Sequence, residues 1–195
     1  SLKSTQELTA EQEQQYGEGL ARIAACEPLA YVTGSQPFWT LDLTVTRDTL
    51  VPRPDTEVLV ETVLNLDLPE DTRMVDLGTG TGAIALSLAS ERPNWSIIAT
   101  DIYEPTLEVA LHNAEKHDLG QVKFFLGSWF KALNRQFFDV IVSNPPYIPT
   151  ADIATLAADV QKEPHGALDG GRLGLDIYTK ILAGIKPYLQ EDGML

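Results

Sequence analysis

Apolar and polar positions along this chain change rhythm near residue 73. Beyond it, short apolar runs alternate with stretches of helical spacing. Met74-Val75-Asp76-Leu77 reads as a short buried strand, Ala83 to Ala89 as a helix stopped before Pro93, and Ser96 to Asp101 as a second strand. Pro105 suits the first turn of a helix whose Leu107, Ala110, Leu111 and Ala114 recur at i, i+3, i+4 and i+7. Val122 to Leu126 supplies a third strand. Phe138 to Ser143, rich in apolar and β-branched residues, reads as a fourth, buried on both faces. Thr155 to Val160 reads as helical and Asp169-Gly170-Gly171 as a turn. Tyr178, Ile181, Leu182 and Ile185 mark a last helix ending before Pro187.

Upstream the pattern is less regular. Thr9 followed by Gln12 forms a capping-box signature, and Tyr16, Leu20 and Ile23 fall at helical spacing, which predicts one short amphipathic helix. Glu27 to Gln36, with Pro28 and Gly34, reads as a connection. Leu41, Leu43 and Val45 alternate with polar residues, and Leu50-Val51 follows a polar Thr46 to Thr49 stretch, which predicts a small β-hairpin linker over 37–51. Pro52-Arg53-Pro54-Asp55-Thr56-Glu57 then stiffens the chain. Asp55 or Thr56 is placed to cap a helix running to about Asn65, with Glu57 and Glu61 at the positive end of its dipole.

Strands and helices in alternation predict an α/β protein with a mostly parallel sheet and helices on both faces, because right-handed crossovers lay each strand beside a parallel neighbour. Four strands are visible. The chain starts at Ser1 and stops at Asp192-Gly193-Met194-Leu195, where a turn leads toward another strand, so a fragment lacking C-terminal strands is expected. An uncovered sheet edge would follow from that loss.

Composition narrows the function classes. A chain of 195 residues with 44% hydrophobic and 22% charged content is ordinary for a globular protein. No apolar run spans a bilayer, so no membrane partner is expected. Cys26, the single cysteine, excludes internal disulfides and fits a reducing compartment, with the cytoplasm as the expected location. A formal net charge of −14 without clustered Lys or Arg disfavours direct nucleic-acid binding. His112, His117 and His165 are isolated, and no metal site is expected.

Two loops carry the candidate chemistry. Asp76-Leu77-Gly78-Thr79-Gly80-Thr81-Gly82 joins the first strand of the alternating region to its helix, and glycines at alternate positions let the backbone turn tightly and approach a ligand. The same residues would also make a ligand-free strand-to-helix turn. Asp101 ends the next strand, 19 residues beyond Gly82, near the spacing of about 20 at which a carboxylate bonds ribose hydroxyls. A helix cap is the alternative for it. Trp129 offers a flat face for a base, or simply packs in the core. At the end of the fourth strand stands Asn144-Pro145-Pro146-Tyr147. Two prolines donate no hydrogen bonds and disfavour helix, so the chain leaves the sheet extended and Asn144 is held where open α/β sheets bind ligands.

Asp76-x-Gly78-x-Gly80-x-Gly82, Asp101 and Asn144-Pro145-Pro146-Tyr147, in that order and spacing, resemble a class I S-adenosylmethionine-dependent methyltransferase of planar nitrogens. Among these the chain is most similar to the HemK/PrmC family, release factor glutamine N5-methyltransferases. Further matches are Glu27-Pro28-Leu29-Ala30-Tyr31-Val32-Thr33-Gly34, the Pro52 to Glu57 stretch, and Glu163-Pro164 with Ala167-Leu168. The resemblance implies a Rossmann-like methyltransferase domain over 52–195, preceded by a remnant of an N-terminal helical substrate-binding domain over 1–36. It implies S-adenosylmethionine as methyl donor, released as S-adenosylhomocysteine, held by Asp76, Gly78, Thr79, Gly80, Thr81, Gly82, Asp101, Trp129 and Asn144. Catalysis would rest on Asn144, Pro145 and Tyr147, and substrate binding on these with Pro146 and Arg53. The partner implied is the Gly-Gly-Gln loop of a peptide-chain release factor, met by a monomer. Ser128 departs from the family's pattern, which often has an acidic residue there. Three rivals share parts of the pattern: a nucleic-acid adenine or guanine methyltransferase, a non-catalytic S-adenosylmethionine-binding module, and an NAD-dependent oxidoreductase.

Overall fold

The computed structural model describes residues 8–195, so the start of the segment read as 1–36 lies outside the described residues. Helix α1 (Ala10–Ala24) opens on the expected capping box, with Thr9 Oγ1 accepting the Gln12 N–H at 3.2 Å and the Gln12 side chain accepting the Thr9 N–H at 2.9 Å. Tyr16, Leu20 and Ile23 are nonetheless all exposed. The helix is tied down at its end, where Glu27 accepts hydrogen bonds from both Arg22 and Arg47.

The segment read as a connection is partly helical. Helix α2 (Leu29–Thr33) buries Ala30 and Tyr31 against Val45 and Val51, and the Tyr31 hydroxyl donates to the Thr49 carbonyl. The hairpin exists, but in another register from that expected. Strand β1 (Ser35–Phe38) pairs antiparallel with β2 (Leu41–Thr44), and Leu50-Val51 is not in a strand. The turn is Trp39-Thr40, with Trp39 at φ 54°, while Thr46 to Thr49 closes a local turn of its own through the Thr46 and Thr49 side chains. A 3-10 turn over Pro54–Thr56 then leads into α3 (Glu57–Leu64). Neither Asp55 nor Thr56 caps this helix with its side chain. Glu57 instead accepts the Trp39 N–H at 2.8 Å, fixing the hairpin turn.

The sheet is fully parallel. Strands β3 (Arg73–Leu77), β4 (Ser96–Asp101), β5 (Lys123–Leu126), β6 (Phe138–Val142) and β7 (Leu189–Met194) stand in the order β5-β4-β3-β6-β7. The fifth of these is the segment read only as a turn. It joins β6 in an irregular register, Phe138 opposite Leu189 and Val140 opposite Met194. Helix α4 (Ala83–Glu91) links β3 to β4, and α5 (Glu104–Lys116) links β4 to β5. Alternation along the central strands feeds two cores. Met74, Ile97, Ala99, Val140 and Val142 face α3, α4 and the hairpin, while Val75, Leu77, Ile98 and Ile141 face the opposite side. On α5, Leu107, Ala110 and Ala114 are buried as spaced, but Leu111 is exposed, and the inner face is completed by Asn113.

Beyond β6, Thr155 to Val160 is not one helix. The Ala154 and Leu156 carbonyls accept the Gln161 side chain in place of helical N–H groups, leaving 3-10 turns at Thr150–Thr155 and Val160–Lys162. Short α6 (His165–Leu168) follows, and Asp169 pairs with Ile148 as a parallel bridge, so the turn falls at Gly171 to Gly174. Helix α7 (Asp176–Gly184) buries Ile181 on the second core; Leu182 is exposed.

Asn113, fully buried, stitches three elements together. Its Oδ1 accepts the Thr44 N–H at 2.7 Å, and its Nδ2 donates to the carbonyls of Thr44 and Thr81, each at 3.0 Å. Truncation leaves the part-buried Thr44 groups on the hairpin and the buried Thr81 carbonyl on the glycine loop without this partner. Asn113→Ala is therefore expected to cost about 2–3 kcal/mol in urea unfolding; a loss under about 0.5 kcal/mol would mean those groups find other partners.

Candidate active site

The chain runs outward from β3 through β4 to β5, then returns to the other side of β3 as β6. Strand order reverses between β3 and β6, and crevices at such points bind ligands at the carboxyl ends of strands. Asp76 lies opposite Val142, so the glycine loop leaving β3 and Asn144 leaving β6 are neighbours although far apart in sequence. Ser143 secures the join by donating from Oγ to the Leu77 carbonyl at 2.6 Å.

The loop itself is held from β4. The Gly78 and Thr79 N–H groups both donate to the Thr100 carbonyl at 2.9 Å, and the Gly80 N–H donates to Asp101 Oδ2 at 3.0 Å. Gly80 sits at φ 58°, and a Cβ built there meets no protein atom within 4 Å. A side chain would pass into the cavity that Gly80 lines. Asp101 Oδ1 accepts the Tyr103 N–H at 3.1 Å, so this carboxylate braces the loop while also facing the cavity. Burial pushes its pKa up against those backbone donors. Trp129 lies with its ring edge against Gly78, is partly buried on the second core and lines the cavity.

Asp76 is entirely buried. Its Oδ2 accepts the Thr79 hydroxyl at 2.7 Å, whereas Oδ1 has no hydrogen-bond partner. Burial raises its pKa to about 7, opposed by the Thr79 hydroxyl and the nearby Ala85 N–H. The unfolded carboxyl titrates near ~4. Being raised in the folded chain, it contributes stability that is fully present below pH ~4 and is lost as pH rises to about 7. Asp101 adds to the same slope. Unfolding measured from pH 4 to 8 should show that decline, flattened in Asp76→Asn; an equal slope in the variant would assign it elsewhere.

Two cavities meet at Asn144. The first, about 330 Å³, is lined by Gly78 to Thr81, Asp101, Ser128 and Trp129, with Pro146, Gly166 and Lys180 on its other walls. The second, about 410 Å³, is lined by Asp55, Leu59, Tyr147, Ile148 and Val160 among others. Arg53, Thr56, Asn144 and Pro145 line both. Asn144 Nδ2 donates to Thr56 Oγ1 at 3.3 Å. Tyr147 is 58% exposed and faces only the second cavity. Its backbone is clasped by the following loop: Gly174 at φ 73° abuts the Tyr147 carbonyl so closely that any Cβ there would collide with it.

The structure thus brings together the residues singled out from the sequence except Asp76, which underlies the loop, and Gly82, which packs toward Leu86 and Ala110; neither lines either cavity. Arg53 reaches both cavities, but its guanidinium is paired with Glu163, whose Oε2 also accepts the Val51 N–H at 2.9 Å. Glu163, Thr56 and Ser143 were not visible as site residues. Glu163 carried one signal, a glutamate in an otherwise unassigned matching stretch. Among the described residues no cluster of His, Cys, Asp or Glu could hold a metal ion, and no helix is long and apolar enough to cross a membrane.

Comparison with known proteins bears on this site. Residues 54–195 match the family described as methyltransferase small domain, and residues 1–34 match the PrmC N-terminal domain. The chain is 42% identical over 190 residues to a protein of Coxiella burnetii named release factor glutamine methyltransferase, covering 97% of this chain and 68% of that one. A protein of the same name from Xylella fastidiosa is 46% identical over 169 residues, covering 86% of this chain and 62% of its own length. A solved methyltransferase structure from Pyrococcus furiosus shares the fold with a TM-score of 0.56 at 21% identity, covering 93% of this chain and 75% of that one. The chain therefore spans about two thirds of the length of its curated relatives.

Proposed function

The chain belongs to the family of release factor glutamine methyltransferases, and from that premise we propose that it transfers a methyl group from S-adenosylmethionine to the side-chain amide nitrogen of the glutamine in a release factor's Gly-Gly-Gln motif. One observation carries the reading. Asn144 is a shared wall of two cavities, one built on the glycine loop and the other bordered by Tyr147 and Ile148.

The residues fit the donor. Gly80 leaves room for it, and Asp101 faces it from the end of β4. Asp76, Gly78, Thr79, Gly80, Thr81 and Gly82 would form the cradle, Asp101 would bind the ribose, and Trp129 would flank the adenine beside Ser128. S-adenosylmethionine supplies a methyl group on a positively charged sulfur.

A glutamine amide is a weak nucleophile because its lone pair is delocalised into the carbonyl, so positioning must do most of the work. Asn144 Oδ1 and the Pro145 carbonyl accept the two amide N–H groups and aim the nitrogen from the second cavity toward the first. Pro145 and Pro146 keep these acceptors stiff. Tyr147 covers the amide plane from the second cavity, and Arg53 borders the entry. No side chain has to remove a proton before transfer, since the excess proton can leave afterwards. The acidic surface, with a formal net charge of −14, supports a protein substrate over nucleic acid.

The test is methyl transfer from labelled S-adenosylmethionine to a purified release factor, beside its Gln→Ala variant and a DNA control. Label on the wild-type factor alone is expected. Labelled DNA would leave the chemistry at Asn144 standing and overturn the substrate; binding of S-adenosylmethionine without any transfer would favour a non-catalytic role.

A further inference from the structure

We infer that Thr56 is a positioning residue that holds the donating end of the Asn144 side-chain amide while its oxygen takes the substrate, an inference that rests on the reading of Asn144 as the acceptor. An asparagine amide has one accepting end and one donating end, and the two are nearly alike in shape. Only the oxygen can receive an N–H. With the donating end turned inward, donor would meet donor and the substrate nitrogen would be pushed out of line.

In the structure the donating end is already engaged. Asn144 Nδ2 bonds Thr56 Oγ1 at 3.3 Å, and both residues stand where the two cavities meet. Thr56 is free for this because it does not cap the helix it precedes. Its place is set by a chain of contacts reaching back to a buried carboxylate. Glu163, whose side chain is 1% exposed, takes the Arg53 guanidinium and the Val51 N–H. The Arg53 carbonyl accepts the Thr56 N–H at 2.9 Å, closing the 3-10 turn Pro54–Thr56. Thr56 therefore arrives at Asn144 on a turn clamped from the far side of the site, and Nδ2 is satisfied only in the orientation that leaves Oδ1 for the substrate. The flipped amide could still take the Thr56 hydroxyl proton on Oδ1, but it would then face the substrate with Nδ2. Only one orientation satisfies Thr56, Asn144 and a two-hydrogen nitrogen together. The arrangement suits a primary amide or amine and disfavours a carboxylate, which brings no hydrogen to donate.

Thr56→Val keeps the shape and removes the acceptor, and Thr56→Ser restores it. Expected for Thr56→Val are a roughly tenfold fall in kcat, a KM for S-adenosylmethionine within about twofold of wild type, and recovery in Thr56→Ser. In an Asn144→Ala background Thr56→Val should add nothing, since the group it positions is gone. A readout independent of turnover is the Asn144 side-chain NH2 pair in nitrogen-15 spectra, assigned by its loss in Asn144→Ala. Its hydrogen exchange should be slower in wild type and Thr56→Ser than in Thr56→Val. Unchanged exchange in Thr56→Val, or an equal kcat loss with and without Asn144, would overturn the inference. Were the wild-type protein to transfer no methyl group to a release factor, the proposed function would fall while the exchange measurement still decided the role of Thr56.

Discussion

Replacing Asn144 by alanine is expected to lower methyl transfer at least about a hundredfold while S-adenosylmethionine affinity stays within about twofold. A hundredfold corresponds to ~2.7 kcal/mol of barrier, well inside the ~7–11 kcal/mol that good alignment of reactants can supply. A neutral hydrogen bond as such contributes only ~0.5–1.5 kcal/mol, so the loss should exceed that of one contact because the nitrogen is no longer aimed. The surroundings should hold their shape in the variant. Ser143 still bonds the Leu77 carbonyl, Pro145 is buried, and the prolines keep the chain extended. Cofactor affinity should survive because the glycine loop, Asp101 and Trp129 supply much of the first cavity's wall, to which Asn144 contributes only one edge. Steady-state kinetics on a release factor, paired with calorimetric titration of S-adenosylmethionine, separates the two quantities. Unchanged turnover would remove Asn144 from the mechanism, and a parallel loss of binding would make it a cofactor ligand.

How much of this was legible in the sequence depends on the range of the interaction concerned. Strands β3, β4 and β6 were legible because burial on both faces leaves near-continuous apolar runs, edge strand β5 was legible from its Phe124 to Leu126 run although Phe125 and Leu126 are exposed, and the loops at their ends followed from glycine and proline. Strand β7 was not, since Gln190, Glu191, Asp192 and Gly193 interrupt any apolar run and only its place beside β6 makes it a strand. The hairpin was recognised from the alternation in Leu41 to Val45 but given the wrong partner. Ser35 to Phe38 contains Pro37, and the Trp39-Thr40 turn lacks the glycine, asparagine or aspartate that would announce it. Within the site, Asn144 could be singled out because two prolines follow it. Thr56, 88 residues away, could only be read as a local helix cap, because a tertiary hydrogen bond leaves no trace in local pattern. Asn113 was invisible for the same reason, lying among residues whose helical spacing explained themselves.

Arg53→Met should destabilise the protein by about 3 kcal/mol, near the low end for removing one partner of a buried ion pair. Glu163 is the buried member, 1% exposed, whereas Arg53 keeps 39% of its side chain accessible, so water already shares part of its charge. Methionine retains apolar length and removes the guanidinium. The Glu163 carboxylate then keeps only the Val51 N–H, at 2.9 Å, as a partner among the described residues. For a domain of this size such a loss lowers the thermal midpoint by roughly 6–12 °C. Adding Glu163→Gln should recover part of the loss, because the amide oxygen can still accept the Val51 N–H and no charge is left buried without its counterion. Arg53→Met alone should then be less stable than Arg53→Met with Glu163→Gln, a sign that simple loss of packing would not produce. The comparison also decides between two roles for Arg53, substrate contact and clamp. A variant of normal stability that no longer methylates release factor would make it a substrate contact, with Glu163 merely adjacent. Lost stability, partly restored by the second substitution, would make it the clamp that holds the Pro54–Thr56 turn beneath Asn144.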